Sequence, residues 1–403
     1  MTSRVLNVTV VVSALGYFVD IYDLLLFSIV RMPSLRDLGV EESQLLEQGV
    51  YLLNMQMSGL LIGGLLWGIL GDKVGRLSVL FGSIFLYSIA NIANGFVYSV
   101  ESYAILRLIA GIGLAGELGA AITLVSETMT KEQRGYGTSL VAAFGLLGAV
   151  LANLVGSAVS WRTAYIIGGV MGLILLVMRI SVFESGMFHE MKKETVRRGD
   201  FFMFFNQPRR FVKYICCILI GVPIWFVIGI LITFSPELSK VLEVQGTISA
   251  GKAVMYGYIG LSIGDLLSGL LSQWFQTRKK VILAFIGLTA LSSGAYLESR
   301  GLTVDQFYAL CVIMGVAIGY WAMFVTTASE HFGTNLRSTA ASTVPNFVRG
   351  AVVPLTLSFQ YLGEKVGLVQ SAQIVGAVSI VIALIAVRLL DETFGKDLNY
   401  VER

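Results

Sequence analysis

The sequence predicts an all-α membrane protein with twelve transmembrane helices in two six-helix halves. Three observations predict it. The chain of 403 residues is 55% hydrophobic and 14% charged, where a soluble domain carries roughly 25% charged residues. One water-soluble core cannot bury that much apolar surface. Apolar runs of about 20 residues, the length that crosses a bilayer, recur from end to end. A charged, glycine-bearing turn, Gly68 to Arg76 with Asp72, Lys73 and Gly75, returns in worn form as Gly269 to Lys280 with Gln273, Arg278 and Lys279. A helix-helix turn repeated at half the chain length means two repeated halves.

The runs fall near 8–31, 50–71, 77–97, 102–125, 136–159, 162–182, 211–234, 251–272, 280–298, 304–327, 339–362 and 366–390. The first follows Met1-Thr-Ser-Arg4 in the manner of a signal peptide. No small-residue cleavage site follows it, and it carries Asp20 and Asp23, so it reads as a retained helix. The only long polar connector, about 184–210, holds Lys192, Lys193, Arg197, Arg198, Arg209 and Arg210 and parts six runs from six. The expected division is an N-terminal bundle at 1–183, a cytoplasmic linker at 184–210 and a C-terminal bundle with a short tail at 211–403. Echoes join the halves. Ser126-Glu127 and Arg134 follow the fourth run, and Ser329-Glu330 and Arg337 follow the tenth. Glu184 follows the sixth run and Glu392 the twelfth. Such echoes fit parallel repeats about an axis along the membrane normal, an arrangement typical of secondary transporters.

Basic residues set the orientation. With both termini in the cytoplasm, the outer side holds only Arg31, Arg36, Arg162, Lys240, Lys252, Arg300 and Lys365, and most other Lys and Arg gather inside. Arg107 and Arg349 lie within runs. The expected location is the cytoplasmic (inner) membrane. The net charge of +3 gives no nucleic-acid signal. Cys216, Cys217 and Cys311 sit in apolar runs without Cys/His ligand spacing, so neither metal nor cofactor is expected. His189 and His331 fall in predicted loops and are expected to be solvated. No nucleophile-base constellation suggests an enzyme.

The turn at Gly68, Gly71, Asp72, Gly75 and Arg76 resembles the signature loop of the major facilitator superfamily, and Arg107 with Gly111 resembles its helix-4 arginine motif. Glu127, Arg134-Gly135, Trp161-Arg162 and Glu184-Ser185-Gly186 look like its sugar-porter and organic-ion branches. The string Gly111 to Ala120 is similar to that of metabolite:proton symporters. Asp20-Ile-Tyr-Asp23 is similar to the paired aspartates of aromatic-acid:proton symporters. Gly145-Leu-Leu-Gly148 lacks the glycine-proline pattern of drug antiporters. The resemblance implies alternating access by two rocking bundles.

Depth arithmetic picks out the chemistry. At 1.5 Å per residue, Asp20 and Asp23 stand roughly 18 and 22 Å above the inner end of the first run, and Arg107 roughly 21 Å above it. Residues at i and i+3 share a helix face, so both aspartates are expected to face Arg107. Intramembrane ions are costly and usually functional. Asp20 or Asp23 is therefore expected to take the coupling proton, with Arg107 as the switch; the alternative is a fixed ion pair. Arg349, roughly 15 Å deep, lies at the midplane and is expected to clamp a carboxylate, against pairing with an acid such as Asp265. Tyr22, Gln56, Trp225, Tyr256, Asn346 and Phe347 are expected to shape the pocket. Glu117 reads as a gate partner for Arg134, with a place in the proton path as the alternative, and Asp265 as a comparable acid with Lys213 or Arg278 as its partner. Asp72, Arg76, Glu127, Arg134, Glu330 and Arg337 are expected to close the cytoplasmic side as a charge network with a conformational role.

The expected activity is proton-coupled import of a small organic anion or zwitterionic metabolite by a monomer in the lipid bilayer. The alternatives are proton-coupled uptake of a neutral amino acid, nucleoside or sugar, and efflux of a drug or lipid by proton antiport. A sensor without flux is disfavoured, because it has little reason to keep intramembrane ions.

Overall fold

The structure, a computed structural model, describes residues 8–74, 76–117, 141–142, 144–184 and 201–395. No strand occurs among them. The first half contains α1 (Val8–Asp37), α2 (Leu45–Val74), α3 (Arg76–Asn94), α4 (Val100–Leu114), α5 (Gly148–Ala158) and α6 (Trp161–Glu184). The second half begins with α7 (Pro208–Leu219), α8 (Val222–Phe226), a π-helix (Val227–Ile232) and α9 (Ser235–Val241). It continues with α10 (Ala250–Trp274), α11 (Lys279–Glu298), α12 (Val304–Ala317), α13 (Trp321–Glu330), α14 (Thr334–Gly350), α15 (Val352–Val366) and α16 (Leu368–Leu389). Eight described stretches are long and apolar enough to cross a membrane, and Val79–Asn94 and Phe144–Ala158 are shorter apolar helices. Inner and outer here follow the orientation predicted by the basic residues.

Three spans are broken, which hydropathy does not reveal. Residues 208–232 divide at Gly221, where Pro223 opens α8, and then pass into the buried π-helix. The 304–330 span breaks between α12 and α13. The run near 339–362 is two helices parted at Ala351. Pro354 has no N–H to give the Gly350 carbonyl, which weakens the helix at this break.

The halves repeat in their packing as well as their sequence. α2 packs on α4, and α10 packs on α12 at the matching place. A Cβ on Gly111 of α4 would overlap the Gln56 carbonyl oxygen of α2, and one on Gly315 of α12 would overlap the Gly257 carbonyl oxygen of α10. Close helix approach therefore requires glycine at both positions. The glycine string of α4 is a packing surface.

The halves meet along α2 with α14 and α5 with α10. Asn346 Nδ2 donates to the Ala115 carbonyl at 2.9 Å, and Thr356 Oγ1 to Asn54 Oδ1 at 2.6 Å.

Several expectations change. α1 continues to Asp37, so Arg31 lies inside it and is fully buried rather than in an outer loop. The connector is not polar to its end. Phe201–Phe204 forms a 3-10 helix whose Phe204 stacks on Tyr214 at 4.4 Å and meets Phe332 edge-on at 4.9 Å. Burial of that aromatic cluster draws this stretch onto the second half. His331 is buried, with Nδ1 2.8 Å from the Thr327 carbonyl oxygen. His189 lies outside the described residues.

Candidate substrate and proton site

α1 carries Tyr17, Asp20 and Asp23, all buried. Three helical residues turn through 300°, so the two aspartates stand about 60° apart around the axis. That angle sends them to different cations. Asp20 Oδ2 lies 3.8 Å from Nη2 of Arg349, across the boundary between the halves. The strongest charge acting on Asp23 is Arg107, in its own half. The expectation that both aspartates face Arg107 is corrected here. Arg349, assigned to substrate, has an aspartate partner in this state, and that partner is Asp20 rather than Asp265.

The Asp20–Arg349 contact is loose, and Asp23 feels Arg107 without an ion pair to it within 4 Å. No oxygen of Asp20 or Asp23 accepts a hydrogen bond, and Nε and Nη1 of both Arg107 and Arg349 donate none. Arg107 is held by other means. Its Nη2 donates to Asn91 Oδ1 at 2.5 Å, and its guanidinium lies 4.6 Å over the Tyr165 ring. The Tyr165 hydroxyl meets that of Tyr103 at 2.6 Å. Buried groups with spare hydrogen-bonding capacity are costly in a purely structural role.

Aromatic walls surround Arg349. Its guanidinium is 5.7 Å from the Trp321 ring centroid, and Trp225 meets Trp321 edge-on at 6.4 Å. The indole N–H of Trp225 is buried without a partner. Tyr17 lies among Arg349, Asp20, Asp265 and Trp321, and Tyr258 is near Tyr17, Arg349 and Asp20.

Asp265 is not paired with Lys213 or Arg278. Lys213 reaches Asp391 at 3.4 Å, and Arg278 reaches Glu330 at 3.1 Å. Asp265 Oδ1 accepts instead from the Ala322 N–H at 3.1 Å, and Oδ2 is unpartnered. The break before α13 leaves first-turn amides without intrahelical partners, and a carboxylate from α10 satisfies one. Glu117 meets a cation that the sequence reading did not name. Arg179 of α6 engages both of its oxygens, Nη1 at 2.9 Å from Oε2. Arg134 and Glu127 lie outside the described residues, as do the side chains of Asp72 and Arg76. Arg337 stands in the first turn of α14.

The remaining pocket candidates scatter. Tyr22 Oη donates to the Ala164 carbonyl at 2.9 Å, and Gln56 Nε2 to the Leu24 carbonyl at 3.1 Å, both inside the first half. Tyr256 packs on Tyr308 at 5.2 Å, within the second half. Asn346 bonds across the halves, and Phe347 joins the Phe201 cluster at 6.1 Å. Of these candidates, Trp225 is the one beside the Arg349–Trp321 group. Sequence reasoning missed Tyr17, one turn before Asp20; Tyr258, two residues from Tyr256 and so on another face; and Trp321, at the break in its span.

At the outer edge, Arg31 pairs with Glu237 at 2.6 Å and lies 4.7 Å over the Phe234 ring, again across the halves. At the inner edge, Glu392 ties the chain after α16 to the start of α11. Burial raises its carboxyl, but the Thr277 hydroxyl and the amides of Phe394, Arg278 and Lys279 donate to it and bring it down to about 2. No cluster fit to hold a metal occurs among the described residues.

Known proteins share this plan. The family model described as Major Facilitator Superfamily matches residues 13–354. The niacin transporter of Acinetobacter baylyi is 25% identical, covering 97% of this chain and 95% of that one. The 3-(3-hydroxy-phenyl)propionate transporter of Escherichia coli is 27% identical, covering 71% of this chain and 70% of that one. The crystal structure of a D-xylose-proton symporter is 16% identical with a TM-score of 0.69, covering 96% of this chain and 99% of that one. At that identity the likeness bears on the fold alone.

Proposed function

The chain belongs to the Major Facilitator Superfamily and is an integral membrane transporter, not an enzyme, and we propose that it is a proton symporter of a small organic anion, a carboxylate carried on a flat ring. The observation that carries this reading is the loose Asp20–Arg349 contact between the halves. Rocking of the halves parts the two residues. Arg349 then binds a substrate carboxylate bidentately. Asp20, buried and without its cation, takes a proton rather than stay charged. With Asp20 ionised, it competes with the substrate for the same guanidinium, so anion and proton enter together. Trp321 and Trp225 beside Arg349 supply faces for a ring. The relatives named for niacin and for 3-(3-hydroxy-phenyl)propionate support the class. Asp23 with Arg107 is a second proton-binding pair in the same mechanism. The basic-residue distribution supports cytoplasmic termini, and an inner-membrane location is part of the same proposal.

The test is luminal pH in proteoliposomes as benzoate, nicotinate, 3-(3-hydroxyphenyl)propionate, neutral amino acids, nucleosides and sugars are added outside. Acidification with the aromatic carboxylates, abolished by Asp20→Asn, is expected. Labelled carboxylate entering without a pH change would refute proton coupling, and acidification only with sugars or neutral amino acids would refute the anion.

A further inference from the structure

Between Asp23 and Glu117 lies a phenol that the symport scheme does not use. Tyr87 of α3 is fully buried, and its hydroxyl has no hydrogen-bond partner; the same holds for the adjoining Ser88 hydroxyl. The charged groups acting on Tyr87 are Glu117 beyond the end of α4, Asp23 and Asp20 of α1, and Arg179 of α6, with Glu117 the strongest.

The backbone of α6 shows how these groups are stacked. Gly168, Gly172 and Arg179 recur at spacings of four and seven, one helical face. A Cβ on Gly168 would overlap Asp23 Oδ1. A Cβ on Gly172 would overlap Ser88 Oγ and come within 3.2 Å of Tyr87 Oη. Arg179 holds Glu117. Asp23, the Ser88–Tyr87 hydroxyls and Glu117 therefore succeed one another along α6, the first two levels roughly 6 Å apart by helical rise. Opposite them, α1 presents Asp23, Asp20 and Gly16, and a Cβ on Gly16 would overlap Glu117 Oε1. Three acids thus descend toward the inner face with an unpartnered hydroxyl against their middle. Glycines stand where a larger side chain would block the file.

We propose that Tyr87 relays the coupling proton from the Asp23–Asp20 level to Glu117 and so to the inner face. The inference rests on the proton-coupled reading above. In the step, with one water bridging the gap on each side, Tyr87 Oη accepts the proton leaving an aspartic acid while its own phenolic proton passes to the Glu117 carboxylate. The aspartate is left ionised, the phenol keeps one proton, and Glu117 becomes neutral. Neutral Glu117 loosens from Arg179 and gives its proton to inner water. Tyr87 touches no substrate; it is a positioned transfer group.

The test compares Tyr87→Phe with the parent protein in proteoliposomes, using benzoate, nicotinate and 3-(3-hydroxyphenyl)propionate. Two rates are read: substrate-driven luminal acidification, and exchange of labelled for unlabelled carboxylate, which needs no net proton movement. Acidification is expected to fall at least tenfold, exchange to stay within about twofold, and the residual acidification to slow further in D2O. Acidification within twofold of the parent overturns the relay. Loss of both rates in folded protein also overturns it, because the role is then structural. If Tyr87→Phe does not fold, Glu117→Gln must show the same split, and equal loss or retention of both rates overturns the proposal. No acidification by the parent protein instead refutes proton coupling, and the relay falls with it.

Discussion

At the scale of single residues, the site turns on which cation each acid meets. Arg349→Lys keeps the charge but loses the planar fork that receives a carboxylate. Carboxylate affinity is expected to fall roughly 10- to 100-fold, about 1.4–2.8 kcal/mol, in equilibrium binding to the purified protein; unchanged affinity would remove Arg349 from the substrate site. Glu392 offers a pH prediction away from the membrane. Its carboxyl is held at about 2 by the Thr277 hydroxyl and backbone amides acting against burial. A depressed acid stabilises the fold above its unfolded value, near 4.5, and that contribution disappears as pH falls through about 2. Glu392→Gln should therefore lower stability by on the order of 1 kcal/mol at pH 7, discounting for solvent screening. The gap to the parent should stay flat down to about pH 5 and narrow below it in thermal melts. A gap that widens on acidification would contradict the assignment.

At the scale of elements, much was legible and some was not, for physical reasons. Hydropathy located the spans because the bilayer demands about 20 apolar residues, and the repeated turn gave the two halves. Rise per residue placed Asp23 level with Arg107. Azimuth was harder to read: a shared face at i and i+3 is about 60° wide, enough for Asp20 to turn to the other half. Partner choice was harder still. Arg179 sits a full span away in sequence from Glu117, and nothing local links them. Breaks were invisible because an apolar run reads the same whether or not its helix is continuous. The break before α13 makes its own prediction. Asp265 is the external cap of α13, so Asp265→Ala should cost roughly 0.5–2 kcal/mol. Asp265→Asn, whose carbonyl oxygen still accepts from Ala322, should retain most of that stability. Because α13 begins with Trp321, the alanine variant should also weaken aromatic carboxylate binding more than the asparagine variant does. Equal melting temperatures and affinities for the two would show that the cap does not hold the element.

At the scale of the whole molecule, the halves are tied at three depths: Arg31 to Glu237 outside, Asp20 to Arg349 in the middle, and Asn346 to the Ala115 carbonyl inside. Opening to the outer side must part the first two and can spare the third. The outer tie is the tight one. Arg31 is fully buried, pairs with Glu237 at 2.6 Å, donates to the Thr233 carbonyl at 3.3 Å and stacks on Phe234. Thr233 and Glu237 lie on the chain just past the π-helix, an irregular element of the kind often found at functional sites. Removing one partner of a buried pair leaves the other charge uncompensated, and the closed state then loses roughly 3–5 kcal/mol. The open state, where water reaches both groups, loses little. Glu237→Gln should therefore shift the population outward. Ser28, buried where its hydroxyl meets that of Thr233 at 3.2 Å, reports the shift. In a Ser28→Cys background, a membrane-impermeant maleimide should label Glu237→Gln at least tenfold faster than the parent. The charge-reversed pair, Arg31→Glu with Glu237→Arg, should return the rate toward the parent value if attraction between the halves is what closes the outer face. Labelling within twofold in Glu237→Gln would mean that apolar packing alone closes it, and the pair would lose its part in alternating access.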